Sequence, residues 1–221
     1  MKLMSWNIRL GIQRGLAPLA QTLNAQAPDV VALQEVGRHW IMGPAGDTTR
    51  QLASFANMPY WQFVPCIRTS TGAEYGHAVL SRFPLRTPRV VKLPREIDEP
   101  RCLFVAEVDI PDHPFTLFTT HLSHVADRHA QARVLTDAVS VPGPKILMGD
   151  LNESASAWLD DLRQHLEDPG SDTQPTYPSD APSVRIDYIL GRGFTFDSAE
   201  VLSTEDASDH LPVVVTSSWP S

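Results

Sequence analysis

Residues 145–152 of the chain read Lys-Ile-Leu-Met-Gly-Asp-Leu-Asn, an apolar run that stops at a glycine and is followed by two polar side chains. Such a run is typical of a buried strand. Because side chains alternate along a strand, Asp150 and Asn152 are expected to project the same way from its end. A carboxylate that takes a proton or binds a metal, beside an amide that donates to an anionic oxygen, suits phosphoester hydrolysis. Taken alone, however, these residues favour a polar turn in which one of them caps the next helix.

The rest of the chain has the pattern of many short strands broken by a few helices. The apolar patterns predict strands and helices in mixed order: strands at 3–8, 29–33, 60–64, 77–81, 89–93, 102–109, 115–120, 145–148, 185–190, 194–202 and 211–217, and helices at 15–25, 48–56, 125–139 and 155–166. Strands that outnumber helices in this way predict two packed sheets with helices outside. Prolines punctuate the loops, above all the long polar connection 169–182. No repeat or linker divides the chain, so we expect one catalytic domain over residues 1–221.

Composition and charge exclude several classes of protein. A hydrophobic content of 42% is that of an ordinary globular protein. The 18 basic and 26 acidic residues give a formal net charge of −8. This balance is unfavourable for general nucleic-acid binding, because such binding relies on Lys and Arg to neutralise phosphates. No apolar stretch approaches the ~20 residues of a membrane span, so we expect no transmembrane segment.

Cysteine content and the start of the chain bear on its location. Two cysteines, Cys66 and Cys102, are too few for a disulfide framework. Residues 1–4 run directly into a strand pattern, without the long apolar region and the small-residue cleavage site of a secretory leader. We therefore expect a cytoplasmic protein, and we expect it to be a monomer.

Polar side chains stand at the edges of other apolar runs as well. Asn7 lies within the opening strand, where an amide is unfavourable unless it is paired or functional. The remaining candidates of this kind are Glu35, His121, Asp187, Asp209 and His210. Each has an ordinary alternative, such as a solvated strand end, a packed histidine or an ion pair with a nearby arginine. Together, so many residue types suited to metal-assisted hydrolysis at strand ends indicate an active site.

The order of these motifs resembles the endonuclease/exonuclease/phosphatase superfamily, whose best-known member type is the pancreatic deoxyribonuclease. The motifs are Trp6-Asn7, Gln34-Glu35, Thr120-His121, Gly149-Asp150-Leu151-Asn152, Arg185-Ile186-Asp187-Tyr188 and Ser208-Asp209-His210-Leu211-Pro212. The resemblance implies an α+β fold, a four-layer α/β/β/α sandwich of two mainly antiparallel mixed sheets flanked by helices. It also implies a divalent metal, Mg²⁺ with Mn²⁺ as a substitute, and phosphoester hydrolysis without a covalent intermediate.

The resemblance also implies a set of metal ligands. Glu35 matches the main metal carboxylate of the family, with Asn7 beside it, and Asp209 matches a carboxylate that helps to hold the metal site together. Hard oxygen ligands in small number suit Mg²⁺, which keeps several of its waters.

The catalytic roles are carried over in the same way. Asp150 matches the residue that aligns or deprotonates the attacking water, and Asn152 matches a donor to the phosphoryl oxygens. His210 matches the histidine that contacts the scissile phosphate, with Asp187 orienting it. His121 matches a second histidine on the leaving-group side, as an acid or as a donor to the phosphate. Which residue is the general acid and which the general base stays open.

Four further residues have weaker support. Arg9 follows the Asn7 motif and Arg101 matches a frequent phosphate-contacting arginine, since a guanidinium suits phosphate geometry. Glu74 lies near the position of a carboxylate that orients the second histidine. For these three residues a solvated surface position is an equal alternative. His77 stands where relatives often have asparagine, which leaves its role open.

The substrate is the least determined part of the prediction. The acidic charge and the short connections favour a small or single-stranded phosphate ester, or a lipid headgroup, over long duplex DNA. Arginines that lie near the motifs could still form a local basic rim: Arg9, Arg14, Arg38, Arg68, Arg101 and Arg128. The alternatives are a DNA or RNA nuclease and, from another class, a catalytically idle phosphate-binding module. An idle relative would usually have lost Glu35, Asp150 or His210, and all three are present.

Overall fold

The computed structural model describes residues 1–204 and 206–220. In chain order the strands are β1 (Lys2–Asn7), β2 (Val30–Arg38), β3 (Tyr60–Arg68), β4 (Glu74–Ser81), β5 (Leu85–Lys92), β6 (Cys102–Val108), β7 (Phe115–His121), β8 (Lys145–Asp150), β9 (Asp187–Arg192), β10 (Thr195–Val201) and β11 (Val213–Ser218). The α-helices are α1 (Leu16–Gln26), α2 (Thr48–Phe55), α3 (Arg128–Val139) and α4 (Ala157–His165). A short 3-10 turn, Arg9–Gly11, follows β1. Among these described residues, no helix is both long and apolar enough to cross a membrane.

The strands form two mixed sheets. The first sheet has the order β10-β11-β1-β2-β4-β3, and the second has the order β5-β6-β7-β8-β9. The pairs β1–β2 and β7–β8 are parallel, and the other pairs are antiparallel. The predicted pair of mainly antiparallel sheets is confirmed.

Three apolar clusters separate four layers. Leu3 and Met4 show how the strand period builds them, because Leu3 packs between the sheets whereas Met4 faces the helix α1. The third cluster lies between the second sheet and the helices α3 and α4, where Leu135 packs with Leu147. All four side chains are fully buried, and burial of each contributes about 1.5–3 kcal/mol. The predicted four-layer sandwich is therefore confirmed.

The parallel pairs bring the functional motifs to one edge of the molecule. The ends of β1 and β2 lie side by side, with Asn7 opposite Gln34. The ends of β7 and β8 also coincide, with His121 opposite Asp150. The antiparallel partner β9 begins at the same edge, so Asp187 lies opposite Asp150. Each sheet therefore ends in polar side chains that face the other sheet.

Gly149 is required by the close approach of the two parallel strands in the second sheet. A β-carbon at this position would lie 2.1 Å from the carbonyl oxygen of Thr120. Any other residue would push β8 away from β7 and displace Asp150 from the edge, which explains the glycine of the motif.

Cys66 and Cys102 form a disulfide that links β3 of the first sheet to β6 of the second. Their Cα atoms are 5.8 Å apart, within the range that a disulfide spans. Composition excluded a disulfide framework but gave no sign of this single bridge, because the sequence alone does not show that two strands from different sheets face each other here.

Candidate active site

Asp150 is the centre of the site and receives contacts from both sheets. Its Oδ2 atom accepts a hydrogen bond from Asn7 Nδ2 at 3.0 Å and lies 3.3 Å from His121 Nε2 and 3.8 Å from His210 Nε2. Its Oδ1 atom accepts the backbone N–H of Asn152 at 2.9 Å. The structure thus brings together residues that are up to 203 positions apart in the sequence (7 and 210).

The carboxyl group of Asp150 is adjusted to exchange a proton near neutral pH. Its burial and then the negative charge of Asp187 raise its pKa to about 7, against the opposing effects of His210 and of the Asn7 hydrogen bond. A carboxylate with this pKa can accept a proton from a bound water at physiological pH.

His210 is held in the protonated form by Asp187. Its Nδ1 atom lies 2.9 Å from Asp187 Oδ2, and Asp187 is fully buried. Burial alone would lower the pKa of His210, but the charge of and hydrogen bond to Asp187, with the charges of Asp150 and Asp209, raise it to about 9. His210 therefore carries a positive charge at neutral pH and can donate to an anionic oxygen.

His121 is held in the neutral form. Burial and the positive charge of Arg101 lower the pKa of His121 well below its ordinary value. Its Nε2 atom lies 3.1 Å from Asn152 Nδ2, which donates to an unprotonated ring nitrogen. The same nitrogen faces Asp150 Oδ2, and a proton on that oxygen favours this contact, in agreement with the raised pKa of Asp150.

Glu35 lies on the other side of Asp150, in an irregular part of β2. The register between β2 and β4 shifts around it, and its φ of 53° is in the left-handed region. Asn7 Nδ2 donates to Glu35 Oε1 at 3.1 Å, so the Asn7 amide bridges Glu35 and Asp150. Burial and then the negative charge of Asp209, opposed by the Asn7 hydrogen bond, raise the pKa of Glu35.

The donor set around Glu35 fits a hard divalent cation. The negative charge of Asp209 destabilises the ionised form of Glu35, and a cation beside the two carboxylates would relieve that repulsion. Asn7 lies beside Glu35 as predicted, but its Oδ1 atom accepts the backbone N–H of Arg9 at 3.0 Å. The amide is therefore oriented with its nitrogen toward the carboxylates, which disfavours Asn7 as a direct ligand in this arrangement.

A second group of metal-ligating atoms consists of Asp150, Asp187 and His210, within 4.8 Å of one another. Their contacts are those of a histidine hydrogen-bonded to one carboxylate and facing another. This arrangement suits proton transfer and stabilisation of negative charge rather than coordination of a metal.

Glu74 and Asn152 make other contacts than the predicted ones. Both oxygens of Glu74 contact arginines rather than His121: Oε2 accepts from Arg38 and Oε1 from Arg68 Nε at 2.7 Å. Asn152 does not present a free amide N–H to a phosphoryl oxygen, because its Nδ2 donates to the Leu122 carbonyl at 2.9 Å as well as facing His121.

The two arginines that were predicted to contact phosphate occupy different environments. Arg9 is half-exposed and lies 3.4 Å from Asp209 Oδ2, so it compensates the charge of the carboxylates beside the site. Arg101 is buried and its guanidinium contacts Glu99 at 2.6 Å. Its positive charge helps to lower the pKa of His121 and opposes the rise in the pKa of Glu35.

His77 lies behind the site and against the disulfide. Burial and then the charge of Arg101 lower its pKa to about 3, so the ring is neutral. Its Nδ1 atom is 3.8 Å from Cys66 Sγ. His77 thus packs between the sheets and does not face Asp150.

The sequence interpretation missed a short segment, Thr176–Ser179, that supports the Asp187–His210 pair. Thr176 Oγ1 accepts the backbone N–H of Asp187 at 3.3 Å, and its carbonyl accepts the N–H of the residue after His210. The Tyr177 ring packs on His210 with a centroid distance of 4.7 Å. A Thr-Tyr pair within a proline-rich connection offered no signal that would distinguish it from an ordinary loop.

Comparisons with known proteins agree with this geometry. The sequence matches the model of the Endonuclease/Exonuclease/phosphatase family over residues 4–210. No curated protein matches the sequence significantly. A solved endonuclease/exonuclease/phosphatase from Beutenbergia cavernae DSM 12333 is similar, with 28% identity and a TM-score of 0.81 over 99% of this chain and 71% of that chain.

Two more distant structures share the fold. A mannosyl-6-phosphatase from Bacteroides thetaiotaomicron VPI-5482 is 17% identical with a TM-score of 0.79, over 99% of this chain and 100% of that chain. Sphingomyelinase C from Streptomyces griseocarneus is 20% identical with a TM-score of 0.72, over 97% of this chain and 98% of that chain. The family match spans nearly the whole chain, so this protein belongs to the endonuclease/exonuclease/phosphatase family and is an enzyme of the phosphoesterase and nuclease class of hydrolases.

Proposed function

We propose that this enzyme hydrolyses phosphoester bonds by direct attack of water, with a divalent metal as cofactor. The observation that carries the proposal is the position of Asp150 between two histidines in opposite protonation states. A base with a pKa of about 7 beside a cationic donor is what in-line attack on a phosphate requires.

Asp150, His210, His121 and Asn152 would have different roles in the reaction. Asp150 accepts the proton of the attacking water. His210, kept protonated by Asp187, donates to the phosphoryl oxygens or to the leaving oxygen, where negative charge develops. His121 and Asn152 contact Asp150 and each other, and so fix the carboxylate for the attack.

Glu35, with Asp209 nearby, would hold Mg²⁺ or Mn²⁺. When bound, such an ion supplies a Lewis acid that offsets the charge of the phosphoryl oxygens. Asn7 and Arg9 would position these two carboxylates through the hydrogen bond and the ion pair described above.

We further propose a small or single-stranded phosphate ester, or a lipid headgroup, as the substrate class. The net charge of −8 opposes the many phosphate contacts of long duplex DNA. Relatives of the same fold include a sugar phosphatase and a sphingomyelinase. A DNA or RNA nuclease is the second candidate, because Arg9 is partly exposed beside Asp209 and could contact a nucleic-acid phosphate. An idle phosphate-binding module is disfavoured, because Glu35, Asp150 and His210 all reach the site.

The proposal also covers the oligomeric state and the cellular compartment of the protein. We expect a monomer whose 221 residues form one catalytic domain. The Cys66–Cys102 disulfide favours an oxidising compartment over the cytoplasm predicted from sequence, because cytosolic thiols are kept reduced.

A substrate panel tests the function. Release of p-nitrophenol from bis-p-nitrophenyl phosphate is measured with and without Mg²⁺, followed by oligonucleotides, a plasmid, nucleotides, inositol phosphates, sphingomyelin and mannose 6-phosphate. We expect metal-dependent turnover, with small esters preferred to the plasmid. Plasmid nicking with a steep salt dependence would instead support the nuclease, and phosphate binding without turnover would support the idle module.

The metal assignment is tested on Glu35 itself. Glu35→Gln should lower Mg²⁺ affinity in calorimetry and turnover together, because it removes the charge of the main carboxylate ligand. Glu107→Gln, an exposed glutamate of β6, is the matched control. Unchanged Mg²⁺ affinity in Glu35→Gln and Glu35→Ala would disprove the assignment.

A further inference from the structure

The turn that follows β8 fixes the two polar side chains of the site through its own backbone. Asn152 has a φ of 53°, a left-handed conformation that asparagine tolerates better than most residues. Its backbone N–H donates to Asp150 Oδ1 at 2.9 Å. The orientation of the Asp150 carboxylate therefore depends on the conformation of this turn.

The backbone of Asn152 is held from outside the turn by Arg128, the first residue of α3. Arg128 Nη1 donates to the carbonyl of Asn152, and Nη2 lies 3.5 Å from Glu153 Oε2. The Arg128 side chain is 20% exposed and that of Glu153 is 12% exposed. Two nitrogens of one guanidinium thus contact two consecutive residues. The single ammonium group of a lysine could not make both contacts with the same geometry.

Arg128 therefore connects Asn152 to helix α3. Asn152 in turn contacts Asp150, His121 and Leu122. The carbonyl of Asn152 points away from Asp150 toward α3, while its N–H points toward Asp150. The N–H and the carbonyl of Asn152 belong to the two peptide groups that meet at its Cα. The Arg128 contact and the Asp150 contact therefore fix these two groups from opposite sides, and a change in the backbone torsions of Asn152 that loses the first also disturbs the second. The contact between Arg128 and the Asn152 carbonyl is in this way coupled to the carboxylate of Asp150, which is proposed to accept the proton.

We propose that Arg128 is a positioning residue for phosphoester hydrolysis: it locks the 150–153 turn so that Asp150 faces the attacking water. The inference rests on the proposed function. Misplacement of a reacting group by about 1 Å can cost on the order of 100-fold in rate. Arg128→Ala should therefore lower kcat roughly 10- to 100-fold and leave KM for a small ester within about twofold.

Arg128→Ala and Arg128→Lys are compared with Arg133→Ala, which removes an exposed arginine of the same helix. We expect the lysine variant to recover only part of the rate, and the Arg133 variant to match the wild type. Added guanidinium at millimolar concentration should restore turnover of Arg128→Ala in a saturable way, whereas ammonium should not. A contact with substrate phosphate would instead raise KM, and that outcome would overturn the positioning role.

Amide hydrogen exchange provides a readout that does not depend on activity. Arg128→Ala should speed exchange in residues 150–153 while the Tm stays close to that of Arg133→Ala. Unchanged exchange and unchanged kcat would overturn the inference. If the wild-type protein hydrolyses none of the esters, the proposed function fails, and the exchange measurement still decides whether Arg128 holds the turn.

Discussion

His121 and His210 both face Asp150, yet the two sides of the site give them opposite charges. On the side of β7, burial and Arg101 keep His121 neutral. On the side of β9 and β11, burial acts the same way on His210, but Asp187 and two further carboxylates outweigh it. Burial lowers the pKa of both rings, so the difference between their protonation states comes from the neighbouring charges, and a cationic donor and a neutral acceptor lie on either side of one carboxyl group.

The largest effect is expected when the shared carboxylate is removed. Asp150→Asn abolishes the proton acceptor while it preserves the size of the side chain, so turnover should fall roughly 10²- to 10⁴-fold, the range of a general base. Asp112→Asn, on an exposed turn, is the control. A folded Asp150→Asn variant, checked by Tm, that keeps near-normal turnover would remove Asp150 from the mechanism.

The second prediction removes the charge that distinguishes the two histidines. In the wild type, turnover needs Asp150 ionised and His210 protonated, so the rate should rise with pH near 7 and fall near 9. In Asp187→Asn, burial of His210 is no longer opposed by its main partner, so its pKa falls and the alkaline limb moves to lower pH. We expect a loss of roughly 10- to 100-fold at pH 8.

The pH–rate profile of Asp187→Asn and the NMR titration of His210 test this expectation together. An alkaline limb that stays near pH 9 would show that another group produces it. A limb that moves while the His210 titration does not would mean that His210 is not the group seen in the profile.

The third prediction concerns the neutral histidine and has a smaller effect. His121→Asn keeps a polar side chain but loses the ring nitrogen that faces Asp150 and Asn152. Because His121 is neutral throughout the working range, turnover should fall while the alkaline limb stays in place. His121→Asn and His210→Ala should also be non-additive in a double-mutant cycle, since both groups face the same Asp150 oxygen. Additive losses would show that the two histidines act independently.

Most residues of the candidate site could be named from the sequence, because polar residues at the ends of apolar runs are easy to recognise. Apolar runs located β7 and β8, and the family resemblance assigned His121 and Asp150 at their ends to one active site. The parallel pairing that sets these two residues opposite each other is seen only in the structure. The orientation of the Asn7 amide could not be predicted, because it bridges Glu35 and Asp150, which lie on strands of different sheets. Arg128 was grouped with the arginines near the motifs, but nothing in the sequence indicated that its guanidinium contacts Asn152 and Glu153, since an arginine at the start of a helix is ordinary.

The fold could be predicted from the apolar patterns of the strands, but the prediction did not include the disulfide. Consecutive apolar residues, such as Leu3 and Met4, indicate a strand that is buried on both faces, as the inner strands of two packed sheets covered by helices are. The Cys66–Cys102 bridge depends on how β3 and β6 pack across the sandwich, and nothing local in either strand encodes that distance.

The smallest effect on catalysis is expected at Glu74, which sequence reasoning had assigned to His121. Glu74 is buried, and although burial alone would raise its pKa, hydrogen bonds from Arg38 and Arg68 lower it. Glu74→Gln should therefore leave the pH–rate profile unchanged and alter kcat by less than about twofold, because the side chain does not contact the catalytic histidines. It should lower the free energy of unfolding by about 1–3 kcal/mol, since two arginines lose a charged acceptor. Denaturant unfolding and the pH profile are measured on the same preparation. A shift of the profile with unchanged stability would contradict the structure and return Glu74 to the site.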